Sequence, residues 1–87
     1  MGLPIISHFI YLQHYRDKLY QLIYNNYFFY IIIENDEYEM LVMEERLRYL
    51  FSRNYGIELG DHMWNLIWEN VLDQIYFDYE GDRYLYL

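Results

Sequence analysis

Side chains able to do covalent chemistry are scarce in this chain. Apart from tyrosine, its hydroxyl nucleophiles are Ser7 and Ser52, and each has a plain place at a helix end. Asp61 and His62 offer the other two members of a Ser–His–Asp set with Ser52, but a triad is defined by geometry, which spacing does not set. His8, His14 and His62 lack the i,i+4 spacing of a helical zinc pair; His14 and Asp17, on one helix face, come nearest to a metal site. Glu44 and Glu45 read as a solvated helix start, where acids suit the helix dipole. There is no GxGxxG or GKS/T loop to cradle a phosphate, and no cysteine for a disulfide or thiolate site. The sequence therefore points away from an enzyme and implies no metal or cofactor.

Charge and aromatic content point toward binding instead. Residues 1–33 carry Arg16, Lys18 and Asp17, a net of +1, whereas residues 34–87 carry thirteen Asp or Glu against Arg46, Arg48, Arg53 and Arg83, a net of −9. Acid gathered in one part of a small chain, with aromatics between the acids, suits a protein that imitates polyanionic nucleic acid or docks on a basic partner. Direct binding to DNA or RNA is disfavoured: stacking rings abound, but the basic groove that phosphates require is missing. Lys18 is the lone lysine, which leaves the negative field uncompensated.

With 87 residues the chain has room for one core and reads as a single domain, 1–87. Its 55% hydrophobic and 23% aromatic content are too high for a disordered tail. The thirteen tyrosines reconcile apolarity with solubility, because each buries a ring while its hydroxyl stays wet or finds a partner. Met1–Pro4 lacks the basic start of a secretory signal. The longest apolar run, Tyr27–Ile33, has seven residues, where a membrane helix needs about twenty. A cytoplasmic protein is the expectation.

The elements follow from periodicity. After Ser7 as N-cap, Phe9, Leu12, Tyr15, Leu19, Leu22 and Ile23 recur at helical steps, predicting an amphipathic helix that ends near Asn25–Asn26. Tyr27–Ile33, aromatic and β-branched, reads as a buried strand, and Asn35–Asp36 as the turn to a return strand at Tyr38–Val42. The chain changes to helix near Met43, with Glu44 and Arg48 pairing at i,i+4 and Gly56 following the end. Asp61 then caps a helix whose apolar face is Trp64, Ile67, Trp68, Val71, Leu72 and Ile75. Tyr76–Tyr79 and Arg83–Leu87, either side of Glu80–Gly81–Asp82, read as a C-terminal strand or hairpin. The expected class is α+β: a helix, a β-hairpin, two further helices and a terminal strand or hairpin.

Tyr55–Gly56 followed by Asp61-His62-Met63-Trp64-Asn65-Leu66-Ile67 resembles barstar-type ribonuclease inhibitors, whose signature is an aromatic–Gly step, then Asp-x-Leu-Trp-Asp-x-Leu on a helix, then an extended segment. The resemblance covers about twenty-five residues, 55–79, and would make Ile75–Tyr79 the extended segment. It implies that Tyr55 and Asp61 point at a nuclease active site with Trp64 packed behind them. Two extra residues separate Gly56 from the helix, and Asn65 stands where the family has its second acid.

These readings converge on a non-enzymatic inhibitor that occupies the nucleic-acid-binding surface of a basic nuclease or defence complex. In size and acidity it looks like the phage-encoded anti-CRISPR and anti-restriction inhibitors. Glu34, Asp36, Glu37, Glu39, Glu69 and Asp73 are the expected steering acids, together with Asp61, and Tyr55, Tyr84 and Tyr86 the expected anchors. The alternative is a structural adaptor that forms homo-oligomers through the Tyr and Leu edge of the tail; a homodimer is compatible with either.

Overall fold

A computed structural model describes the backbone of residues 5–85 and the side chains of residues 12–80. The chain forms α1 (Ile5–Asn25), α2 (Phe29–Glu34), α3 (Glu37–Tyr55) and α4 (Asp61–Leu85), and among the described residues there is no strand. The fold is all-α, not α+β. Both α1 and α2 pack against α3 and α4. Leu19, Leu22 and Ile23 of α1, Ile32 of α2, Met43, Leu47 and Phe51 of α3, and Trp64, Ile67, Trp68, Val71 and Ile75 of α4 form one buried core. Among the described residues no helix is long and apolar enough to cross a membrane.

Three left-handed residues end the first three helices. Tyr27 (φ 60°) closes α1: its N–H donates to the Tyr24 carbonyl at 3.1 Å and the Phe28 N–H to that of Ile23 at 2.9 Å, which satisfies carbonyls a helix end leaves orphaned. Asn35 (φ 59°) closes α2, its N–H reaching the Ile31 carbonyl, and Gly56 (φ 64°) closes α3 on that of Ser52. The sequence places the first reversal on Asn25–Asn26, whereas Asn26 instead turns its side-chain amide back onto the Leu22 carbonyl at 2.8 Å. Ser7, read as a cap, lies inside α1.

The expected hairpin is replaced by two helices. Tyr27–Ile33 contributes α2, and Tyr38–Val42 is the first part of α3 rather than a return strand. Asn35 and Asp36 are adjacent helix caps, not a turn: the Asp36 carboxylate accepts the Glu39 N–H at 2.9 Å, and Glu37 and Glu39 place charge in the first turn. A two-stranded hairpin with open edges is marginal. Helical spacing here puts Ile32, Met43 and Leu47 into the same core as Trp64. Tyr76 steadies the short α2, its hydroxyl donating to the Ile32 carbonyl at 3.0 Å.

The terminal strand is also overturned, because α4 runs on to Leu85. Asp78 takes the Gln74 amide at 3.0 Å, an i,i+4 contact that only a helix brings together, and Ile75 stays buried one turn after Val71. The segment that the barstar-like signature requires extended, 75–79, is therefore helical. Tyr86 and Leu87 lie outside the described residues. At the other end of α4 the Gly60 carbonyl accepts the Trp64 N–H at 2.9 Å, so Asp61 is the first helical residue and its side chain is free for another contact.

Tyr27 holds the left-handed conformation with its ring 72% exposed, so the ring returns little packing for the backbone cost. That cost is roughly 1–2 kcal/mol for an L side chain, and glycine removes it while adding about 0.4–1 kcal/mol of unfolded-state freedom. Tyr27→Gly is expected to stabilise the fold by up to about 1 kcal/mol, read as a raised urea midpoint at unchanged slope. A lowered midpoint would mean that the exposed ring contributes contacts beyond those described.

Candidate partner-binding surface

The residues that suggested chemistry are dispersed or engaged. No hydrogen bond joins Ser52, Asp61 and His62: the Asp61 carboxylate accepts from Arg48 at 2.7 Å, and the His62 ring is exposed. The His14 ring lies against Tyr15 at 6.1 Å, and Asp17 is 3.9 Å from the Arg16 guanidinium. Among the described residues no group of three His, Asp or Glu could hold a metal ion. One surface cleft, lined by Leu12, Gln13, Arg16, Ile67 and Asn70, contains no nucleophile beside a base, and Ser52 lines another, open cleft with Glu45 and Glu58.

Acids divide between those engaged in the fold and those left free. Glu44 and Arg48, spaced to pair with each other, both engage α4 instead. The Glu44 carboxylate accepts the Trp64 indole N–H at 3.0 Å, and Arg48 donates to the Leu59 carbonyl at 3.1 Å and to Asp61, its guanidinium 5.7 Å from the Trp64 ring centre. Asp61 thereby clamps the α3–α4 loop. Tyr55 is also held within the bundle: half-buried, its ring meets Phe51 edge-on at 5.3 Å, and the Lys18 ammonium sits 4.1 Å above it. The side chain of Tyr84 and all of Tyr86 lie outside the described residues.

Glu34, Asp36, Glu37 and Glu39 are all exposed around the α2–α3 junction, and Glu69 and Asp73 are exposed on α4. The described ion pairs, Arg16–Asp17 and Arg48–Asp61, include none of these six. The two groups meet at Tyr76, whose hydroxyl lies 3.3 Å from the Asn35 amide oxygen. Glu69, Asp73 and Glu80 are seven, three and four residues from Tyr76 and share its flank of α4. Glu80, also exposed, was missed because the sequence placed it in a turn.

A second feature escaped the sequence reading. Tyr38, Leu41, Val42 and Tyr49 are 77%, 64%, 51% and 59% exposed on the side of α3 opposite Met43 and Leu47. Thus α3 also carries an outward apolar stripe, interrupted by Glu45. Residues 38, 42, 45 and 49 recur at steps of three and four, a signal hidden by assigning 38–42 to a strand.

Tyr20 is a structural group rather than a reactive one. Its hydroxyl donates to Asp78 at 2.5 Å, tying α1 to α4, and its ring lies 4.7 Å from that of Tyr24. Burial first, then the bonds to Asp78 and Tyr24, raise the phenol pKa well above the ordinary 10.0. The neutral phenol is thus favoured by the fold. Its stabilisation is complete below about pH 10 and is lost as pH rises toward the folded-state pKa, because the unfolded chain releases that proton first. In thermal melts above pH 10, Tyr20→Phe should lose stability less steeply than the parent protein; parallel declines would refute the assignment. No known protein family, curated protein or solved structure matches this chain.

Proposed function

We propose that the protein is a non-enzymatic inhibitor that binds the nucleic-acid-binding surface of a basic protein in the cytoplasm, a nuclease or defence complex of the kind targeted by phage anti-CRISPR and anti-restriction proteins. The observation that carries this reading is the pair of exposed acidic segments, outside the described ion pairs, joined at the Tyr76–Asn35 contact. Glu34, Asp36 and Glu37 come from one segment, and Asp73 and Glu80 from the other. Carboxylates fixed on helices present negative charge at set positions, as a phosphate backbone does, and their field accelerates encounter with a basic groove.

The reading rests on these free acids more than on Tyr55 and Asp61. The barstar-like resemblance would aim those two at a nuclease, but in the fold they are occupied by Lys18, Phe51 and Arg48. Exposed ion pairs contribute only about 0–1 kcal/mol each, so the acids supply speed and selection while rings beside them supply residence time. Phe77, exposed on α4 between Asp73 and Glu80, is such a ring.

The test is retention of a nucleic-acid-binding protein from a lysate of the cells in which the chain acts. Immobilised protein should hold a basic protein that elevated salt or competing duplex DNA releases. The combined variant Glu34→Gln, Asp36→Asn, Glu37→Gln should associate at least several-fold more slowly and with a flatter salt dependence. Asparagine keeps the α3 cap, so helicity should persist. Equal association rates at low salt would remove this junction from the interface, and retention insensitive to DNA would sink nucleic-acid mimicry.

A further inference from the structure

We propose that the outward face of α3 is a homodimer seam, on which a second copy of this chain packs antiparallel about a two-fold axis near Glu45 and Arg46. An exposed aliphatic and aromatic stripe along a 19-residue helix is costly to leave in water, and this one has the spacing of a helix-pairing seam. Val42 and Tyr49 are seven residues apart, as are Tyr38 and Glu45, and the two sets interleave at steps of three and four. Leu41 widens the stripe on one side.

Charge identifies the occupant. Every acid of α3 lies in its N-terminal half (Glu37, Glu39, Glu44, Glu45), and every base in its C-terminal half (Arg46, Arg48, Arg53). Glu39, Arg46 and Arg53, again seven apart, line the other flank of the stripe. Arg46 and Arg53 are exposed, and neither is among the described ion pairs, although acids far outnumber bases in the chain. A basic partner would be repelled by these arginines, which sets this face apart from the acidic one at Tyr76. A second copy, reversed about Arg46, places its Arg53 opposite Glu39 and its Glu39 opposite Arg53; the two Arg46 side chains then meet at the axis, each one residue from a Glu45 that offsets their like charge. The parallel arrangement would instead stack the acidic ends of the two copies on each other, a repulsive alignment. Such a two-fold contact is isologous, so each complementary pair occurs twice.

One helix per copy is a small interface, at the low end of specific contacts, so the dimer should form in the micromolar range. Sedimentation equilibrium of the intact chain, with no partner present, should show the mass rising from monomer to dimer with concentration. Val42→Asp should abolish the rise while leaving helicity and melting unchanged, since Val42 is no part of the core. Glu39→Arg alone and Arg53→Glu alone should each weaken self-association at least tenfold. An equimolar mixture of the two should recover it, because each then faces its complement. Residues 39 and 53 are about 21 Å apart along one helix, too far to pair within a copy, so recovery reports pairing between copies; the weakening of each single variant reports the antiparallel direction, since a parallel pair would carry like charges at both positions already in the parent. A parent chain monomeric throughout, a dimer indifferent to Val42→Asp, or a mixture that stays monomeric would each overturn the proposal. So would a monomeric chain whose stripe variants lose only their capture of a basic protein, which would assign the face to that partner.

Discussion

Burial of Trp64 is the constraint around which the rest of the molecule is arranged. It is the largest fully buried side chain, and its indole N–H must find an acceptor or cost the fold its desolvation. Glu44 supplies that acceptor from α3. The ring then stacks on Trp68 at 5.9 Å, meets Phe51 edge-on at 6.2 Å, and lies beneath Arg48, which in turn holds Leu59 and Asp61. One side chain thus sets where α3 lies relative to α4 and how the loop between them closes. Tyrosine hydroxyls then bond at the margins, Tyr20 to Asp78 and Tyr76 to Ile32. Among the described residues no buried side-chain polar atom lacks a partner.

That economy leaves most of the charge outside. Glu44, Asp61 and Asp78 serve the fold, each accepting from a named donor. Of the exposed acids outside the described ion pairs, Glu34 and Glu37 lie at the α2–α3 junction and Asp73 and Glu80 on the flank of α4 that meets it through Tyr76. The distinction matters because sequence treats all acids alike: Asp61 was grouped with Glu69 and Asp73, yet it is already committed to Arg48. Removing Asp61 would loosen a loop, whereas removing Asp73 would alter only the field.

How much was legible in the sequence depended on the length of each periodic run. The apolar face of α4 spans three turns at unbroken helical spacing, so Trp64, Ile67, Trp68, Val71 and Ile75 are buried as the pattern implies. The end of α1 near Asn25 was equally plain. Tyr27–Ile33 failed because a seven-residue apolar run has no period, and β-branching decides little when tertiary context overrides it. The deciding signal was Asn35-Asp36-x-x-Glu39, which is helix-stop and helix-start chemistry but was read as a hairpin turn. That error hid the stripe, since Tyr38 and Val42 share a face with Tyr49 only on a helix. Tyr55 was hard to place for a different reason: a ring next to a glycine looks exposed in sequence, but here it is half-buried against Phe51.

The two surfaces are compatible because they lie on different sides of the same helix pair. In an antiparallel seam centred near Glu45, the Asp36 positions of the two copies lie at opposite ends, about 30 Å apart along the helix axis at 1.5 Å per residue. Each acidic cluster gives up only Glu39, to Arg53 of the other copy, and their mutual repulsion is nearly screened at physiological salt, where the Debye length is about 8 Å. A dimer of this form would present two negative faces on one rigid body. Against a basic groove of matching span, the second contact becomes intramolecular, which raises avidity without any new chemistry. The stripe and the acids are then parts of one device, in which α3 joins copies through its outward face and opens each acidic end through its first turn.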